Sequence, residues 1–140
     1  MTSEVGLSAV AHKRENDMRI GDLAARTEVS VRSLRYYEEQ GLLSSTRSAS
    51  GQRQYSEEHV DRVLLLQRLY DAGLSSRTIA ALLPCVDLPS EETSDAAFEL
   101  LLRERDRLSR HIEDLIRTRD SLDQIVAVNR AHRATVRASA

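Results

Sequence analysis

Cysteine is almost absent from this chain of 140 residues, in which Cys85 is the one thiol. A single cysteine excludes an intramolecular disulfide framework, a zinc site built from several thiolates and an iron–sulfur cluster held within one chain. His111 and His132 have no second ligand at a suitable spacing, so we expect no metal and no cofactor. Cys85 itself has two interpretations, a small buried apolar residue or a thiol switch that an oxidant or electrophile modifies.

Aromatic residues and long apolar runs are also scarce. Tryptophan is missing and phenylalanine occurs once, so the core must be built from aliphatic side chains. No apolar run approaches the ~20 residues that span a bilayer and no signal peptide is visible, so we expect a cytoplasmic protein with no membrane partner. The sequence offers no Ser-His-Asp order, no phosphate-binding loop and no paired carboxylates at a defined pocket, which disfavours an enzyme.

A strong excess of charge of one sign is missing as well, because the formal net charge is −2 and the pI is near 6.1. This balance argues against an architectural protein that coats DNA through charge alone. The charges are nevertheless unevenly distributed. Residues 30–55 hold four arginines and two glutamates, whereas residues 91–126 hold ten acids and six arginines. A nucleic-acid interface is therefore expected in the first of these stretches.

Two short helices around a tight turn are predicted in the first third of the chain. The first spans 20–27, and Ser30 is placed to cap the second, which reaches Gln40 and stops at Gly41. Such a pair lets one helix cross the DNA backbone while the other enters the major groove. Its arginines and tyrosines are residue types that contact phosphates and base edges.

A Ser-rich segment follows and predicts a two-stranded wing made of Leu42–Thr46 and Arg53–Tyr55. We place the DNA-binding domain at 18–86. The polar, aperiodic residues 1–17 are predicted to be a disordered extension ahead of it.

Two further helices are predicted inside this domain. The first spans 56–72, and the second begins after Ser75 or Ser76 and stops at Pro84, ahead of a linker at 87–92. The predicted core face of the first consists of Val60, Val63, Leu64, Leu66 and Leu69.

A long helix is predicted over 93–128, followed by a flexible tail at 129–140. Its apolar residues recur at spacings of three, four or seven, which is the a/d pattern of a coiled coil, with Arg105 and Arg119 at two of the a positions. The stripe could form one edge of an intramolecular bundle, but no other predicted helix is half as long, so a coiled-coil dimer is favoured. The predicted dimerisation residues are Phe98, Leu101, Leu108, Ile112, Leu115, Leu122 and Val126.

The run RIGDLAARTEVSVRSLRYYEEQGLL, followed by TRSASGQRQYSEEHVDRV, closely resembles the MerR family of bacterial transcription regulators. The resemblance covers about residues 18–127. It implies a mainly α fold, in which a winged helix-turn-helix domain with a small β-hairpin precedes an antiparallel coiled-coil dimer. It also implies a homodimer that binds a palindromic promoter operator and bends and untwists the spacer DNA, so that RNA polymerase meets its two promoter elements in register.

The same resemblance implies roles for individual residues. Arg32 stands where the recognition helix meets bases, Arg35 and Tyr36 match backbone contacts, and we expect one of Tyr36 and Tyr37 to be buried because neighbours on a helix point about 100° apart. Arginine can read guanine edges or clamp phosphate, and a wing extends the footprint. The predicted DNA-binding residues are Ser30, Val31, Arg32, Arg35, Tyr36, Tyr37, Arg47, Gln52, Arg53 and Tyr55.

The chain departs from the family pattern at several positions. Glu28 stands where the turn usually has glycine, Gln52 replaces an aromatic residue after the wing glycine, and Ser45 replaces a common proline. Metal-sensing members carry cysteine at the start of the dimerisation helix, where this chain has Ser94, and in the loop after it, where residues 129–140 have none. Thiophilic metal sensing is therefore not expected, and the effector is unknown.

Two other interpretations remain open from the sequence. The chain could be a coiled-coil adaptor whose N-terminal part contacts proteins, or an architectural DNA binder. Separately, Arg130, Arg133 and Arg137 have two interpretations, a solvated tail or a contact with the DNA backbone.

Overall fold

Two short helices joined by a tight turn open the part of the chain that this computed structural model describes, residues 18–139. The predicted extension at 1–17 lies outside the described residues. Helix α1 spans Ile20–Thr27 and α2 spans Val31–Glu39, both as predicted. Ser30 caps α2 by accepting a hydrogen bond from the Ser33 backbone N–H at 3.1 Å. Glu28 adopts the left-handed conformation, with φ 57° and ψ 30°, which costs a non-glycine residue about 1 kcal/mol.

A small antiparallel hairpin follows α2. Strand β1 is Thr46–Arg47 and β2 is Arg53–Gln54, with Thr46 paired to Gln54 and Arg47 to Arg53. The hairpin is shorter than predicted, because Leu42 and Leu43 are buried in the core and do not join a strand. Beyond β2, the Tyr55 backbone N–H donates to the Met18 carbonyl at 2.8 Å, so the segment before α1 extends the wing on one side.

Two amphipathic helices complete the first compact unit, which ends at Thr93. Helix α3 spans Glu57–Asp71 and α4 spans Ser76–Asp87, with Ser75 as the α4 cap. The Arg26 guanidinium on α1 forms two hydrogen bonds with the Glu57 carboxylate, at 2.6 and 2.9 Å, which tie α1 to the start of α3. The buried core consists mainly of Leu23, Leu34, Leu42, Tyr55, Val63, Leu66 and Ile79.

The prediction that Pro84 ends α4 is wrong, because the helix continues to Asp87. A proline inside a helix removes one N–H donor and leaves the carbonyl four residues earlier without its partner. That carbonyl belongs to Ala80, and both Ala80 and Pro84 lie on the exposed side of the helix, where water can replace the lost bond. Cys85 is therefore a half-buried residue of α4.

The core face of α3 is narrower than predicted. Val60, Val63 and Leu66 are buried, whereas Leu69 is half-buried and Leu64 is 43% exposed. Leu64 directly follows Val63, so the helical twist of about 100° per residue turns it away from the core.

Helix α5 spans Glu91–Ser139 and comprises 49 residues, which makes it about 73 Å long. The flexible tail predicted after residue 128 is wrong, because residues 129–139 continue the helix. This segment contains alanine and arginine, which favour helix, and neither glycine nor proline. None of the α5 residues from Glu91 to Ser139 is buried.

Candidate nucleic-acid interface

Helix α2 divides its residues between the core and the solvent. Leu34 and Tyr37 are buried, whereas Arg32, Arg35 and Tyr36 are exposed on the other side. Arg32 and Tyr36 are one turn apart, and Arg32 and Arg35 are three residues apart, so these three side chains are neighbours on one helix face. This face offers two guanidinium groups and one phenol, all of which can donate hydrogen bonds to phosphates or base edges.

Tyr36 is fixed at the edge of this face by α4. Its hydroxyl lies 3.1 Å from the Ser76 hydroxyl, and the Ser76 hydroxyl lies 2.5 Å from that of Tyr70. Tyr36 is 44% exposed, so its phenol remains accessible while the hydrogen bond restricts its rotamer. The prediction that one of the two adjacent tyrosines is exposed is confirmed.

Tyr37 and Tyr55, both predicted as DNA-binding residues, are core residues in the structure. Tyr37 is 8% exposed and stacks on Tyr70 with ring centroids 5.5 Å apart. Tyr55 is fully buried and packs edge-on against His59. The burial of these two rings shows that the core is not purely aliphatic, which corrects the expectation from the scarcity of aromatic residues. Little of Tyr37, and nothing of Tyr55, is left to contact DNA.

The hairpin, residues 46–54, presents polar groups beside α2. The Arg47 guanidinium donates to the Gly51 carbonyl at 2.9 Å, and the Gln52 backbone N–H donates to the Ser48 hydroxyl at 3.2 Å. These bonds close the turn and leave Arg47, Gln52 and Arg53 exposed.

Glu38, which is not among the residues predicted from the sequence, connects the hairpin to α2. Its carboxylate accepts from the Arg53 guanidinium at 2.6 Å and also from the Tyr55 hydroxyl. Burial, followed by the hydrogen bond to Glu38, raises the pKa of Tyr55 to about 12. An acid within an otherwise basic segment was the signal that could have identified this residue.

Metal-ligand clusters are absent from the described range. Residues 18–139 contain no group of three or more His, Cys, Asp or Glu side chains that could hold a metal ion. His111 and His132 are both exposed on α5, as is Ser94. Within the same range, no helix is long and apolar enough to cross a membrane.

An exposed apolar stripe marks α5. Its side chains are between 43% and 62% exposed, so they are not covered within a single chain. The stripe consists of the predicted dimerisation residues Phe98, Leu101, Leu108, Ile112, Leu115, Leu122 and Val126.

Comparisons with known proteins agree with this geometry. Residues 18–84 match the family model described as MerR HTH family regulatory protein. The chain is 36% identical over 120 residues to an HTH-type transcriptional activator SoxR homolog of Chromobacterium violaceum, which covers 80% of this chain and 76% of the relative. It is 32% identical over 111 residues to the HTH-type transcriptional regulator CueR of Vibrio cholerae, with 79% of each chain covered.

A solved structure of a MerR family transcriptional regulator from Listeria monocytogenes has the same fold. It superposes with a TM-score of 0.59 at 29% identity and covers 79% of this chain and 83% of the other. The relatives are transcription regulators, and the resemblance extends beyond the helix-turn-helix region into the long helix.

Proposed function

This chain belongs to the MerR family of DNA-binding transcription regulators, and from that premise we propose that it binds a palindromic promoter operator as a homodimer and distorts the spacer DNA between the promoter elements. The DNA-binding part of this proposal rests on the exposed face of α2, where Arg32, Arg35 and Tyr36 lie beside the polar hairpin. A helix of this kind reads base edges in the major groove while a wing contacts the flanking backbone.

The DNA-contact residues follow from this surface. Arg32 would read base edges, Arg35 and Tyr36 would contact backbone phosphates, and Arg47 and Arg53 would contact phosphates from the wing. Ser30, Val31 and Gln52 complete the proposed set, since they lie at the start of α2 and in the hairpin turn. The distortion of the spacer is the mode of action that family membership implies, and RNA polymerase would be the partner that responds to it.

The homodimer would form through the apolar stripe of α5. A helix of this length with no buried residue needs a partner to cover its apolar side chains, and a second copy supplies an equally long stripe. The a-position arginines disfavour a parallel, in-register pair, because Arg105 would face Arg105 and Arg119 would face Arg119 of the second copy. In an antiparallel pair each a position packs in a layer with a d position, where this chain has leucines.

The distribution of charge along α5 favours the same direction. Its first sixteen residues hold six acids and two arginines, whereas its last sixteen hold three arginines and no acid. An antiparallel pair brings the acidic start of each helix against the basic end of the other, and a parallel pair brings like charges together. The antiparallel arrangement is therefore favoured both by the packing of the a-position arginines and by the distribution of charge along α5.

The proposal can be tested by in vitro selection of duplexes from a random pool with the full chain, followed by footprinting. We expect a palindromic consensus whose two half-sites lie on one DNA face, at a spacing related to the ~34 Å helical turn. Sedimentation equilibrium should give a dimer. Circularisation of a selected duplex should yield topoisomers of altered linking number when the protein is bound. Recovery of duplexes without a consensus would favour an architectural binder, and recovery of none would favour an adaptor.

A further inference from the structure

Three arginines from separate parts of the chain line one shallow cleft, which we call the arginine cleft. Arg19 precedes α1, Arg35 belongs to α2 and Arg53 belongs to β2. Together with Ile20 and Gln52 they line a cleft of about 250 Å³. No carboxylate belongs to this lining. Three arginine side chains beside one concave surface bring positive charges together, and a bound anion would reduce their mutual repulsion.

The backbone explains why Arg19 reaches this cleft although it is far from Arg53 in sequence. Met18 pairs with Tyr55 beside the hairpin, so the next residue along is held near β2. The Arg19 backbone N–H then donates to the Asp22 carboxylate at 3.0 Å, which fixes the entry into α1. Because that bond uses the backbone of Arg19, the guanidinium is not consumed by it.

Glu38 fixes Arg53 in the cleft. Its carboxylate holds one terminal nitrogen of Arg53 at 2.6 Å, and the other N–H groups of that guanidinium remain as possible donors. Glu38 also accepts from Tyr55 and is largely buried, with 12% of its side chain exposed. Glu38 and Glu39 line a second cleft, which shares Arg35 and Arg53 with the arginine cleft. The Asp22, Glu38 and Glu39 carboxylates match the three arginines in number, but none of them lines the cleft, so only arginine charge borders it.

We propose that the arginine cleft holds a single backbone phosphate of the bound DNA, and that Arg19 is a DNA-contact residue. This inference rests on the proposed function, because Arg35 lies three residues from the base-reading Arg32 on the same face of α2. A phosphate next to the bases read by Arg32 would lie within the same half-site. Arginine binds phosphate through paired N–H groups, so three guanidinium groups from fixed elements set the register of α2 in the groove.

The test is a phosphate scan on the full chain. Each phosphate of a duplex recovered by in vitro selection is replaced in turn by a neutral methylphosphonate, and affinity is measured by fluorescence anisotropy. The wild-type chain should lose roughly tenfold in affinity at one phosphate per half-site that lies next to the bases contacted by Arg32, as expected when charge-assisted hydrogen bonds are lost. Arg19→Ala should weaken binding to the unmodified duplex roughly tenfold and become insensitive to that one replacement.

Arg35→Ala and Arg53→Ala should become insensitive to the same replacement, because all three side chains would hold the same phosphate. Arg110→Ala is the matched control, since Arg110 is an exposed arginine on α5 outside the first compact unit. It should keep the wild-type pattern. Thermal unfolding should be unchanged in Arg19→Ala, because the backbone of residue 19 supplies the bond to Asp22.

Several outcomes would overturn the inference. Arg19→Ala could keep the full wild-type pattern, or the three variants could become insensitive to three different phosphates. A titration with inorganic pyrophosphate separates a DNA phosphate from a free anion. Tight pyrophosphate binding that Arg19→Ala abolishes, together with an unchanged phosphate scan, would assign the cleft to a free anion. If the wild-type chain selects no duplex at all, the proposed function itself fails, whereas a selected duplex with no effect of Arg19→Ala contradicts only the arginine cleft.

Discussion

Neighbouring residues of α2 have opposite surroundings, and the arginines on its exposed face have different expected roles. Arg32 stands nearest the start of the helix, which is the part of a recognition helix that approaches base edges. Arg35 lies one turn further and lines the arginine cleft. A base contact and a phosphate contact can be told apart, because a base contact discriminates between sequences and a phosphate contact does not.

Arg32→Ala should cost about 1–3 kcal/mol in binding to a selected duplex and relax specificity at one position of each half-site. The physical reason is the loss of a bidentate contact to one base. Competition between selected and random duplexes, measured side by side, checks this. Equal loss on both duplexes would show that Arg32 is a phosphate contact. Arg110→Ala serves again as the control, and it should change neither the affinity nor the specificity.

The raised pKa of Tyr55 predicts that the stability of the fold depends on pH. Its pKa is raised from the ordinary value near 10 to about 12 by burial and by Glu38, so the neutral phenol is favoured in the folded state. The resulting stabilisation is complete below pH 10 and is lost as the pH rises through about 12. The free energy of unfolding should therefore fall by about 1 kcal/mol between pH 9 and about pH 11 on account of Tyr55 alone.

The measurement is urea unfolding of the wild type and of Tyr55→Phe at one protein concentration over this pH range. The contribution from Tyr37, whose pKa burial also raises, is common to both proteins. The wild type should lose more stability than the variant as the pH rises. A parallel decline of the two curves would contradict the assignment to Tyr55.

At the scale of elements, the sequence was most informative where local chemistry decides the backbone. The bounds of α2 follow from Ser30 and Gly41, and both α1 and α2 were predicted closely. The prediction that Pro84 ends α4 was wrong because the effect of a proline depends on whether the freed carbonyl is exposed to solvent. A sequence pattern does not show this exposure. The burial of Tyr37 and Tyr55 depended on distant partners, Tyr70 and Glu38, and the helix after residue 128 lacked the apolar periodicity on which the prediction relied.

The turn between α1 and α2 carries a measurable strain. Glu28 is the one non-glycine residue among 18–139 with a positive φ, so Glu28→Gly should raise the free energy of unfolding by about 1 kcal/mol. Gly73→Ala is the matched opposite, since Gly73 has φ 82° after α3 and an added Cβ would meet no atom within 4 Å. It should lower the free energy by about 1 kcal/mol through backbone strain alone. Denaturant unfolding of both variants tests the pair, and a Glu28→Gly chain less stable than wild type would refute the argument.

At the scale of the whole molecule, the proposed antiparallel pairing of two α5 helices can be tested by exchanging charges. Replacing Arg130, Arg133 and Arg137 by Glu should weaken the dimer by about tenfold or more, because these ends would then face the acidic residues of the partner. Replacing Glu91, Glu92 and Asp95 by Arg should weaken it similarly. Combining both sets should restore much of the affinity, since opposite charges would meet again.

Sedimentation equilibrium at low and at high salt measures these effects, which should shrink as salt screens the charges. Arg110→Glu is the control, because Arg110 lies two positions after Leu108 in the heptad and away from the seam. A combined variant that dimerises no better than either single set would contradict the antiparallel arrangement.

In the proposed homodimer, the lack of any buried residue along α5 would make protein concentration a regulatory variable in its own right. A helix whose apolar side chains are covered only by a second copy loses that stabilisation on dilution, because assembly and stability are then one equilibrium. The number of copies in a cell would then set how many molecules are paired and able to hold two half-sites at once. Unpaired chains would keep a long apolar surface in contact with water, and that surface would make them substrates for chaperones and proteases. Both the amount of paired regulator and the removal of unpaired chains would therefore depend on α5.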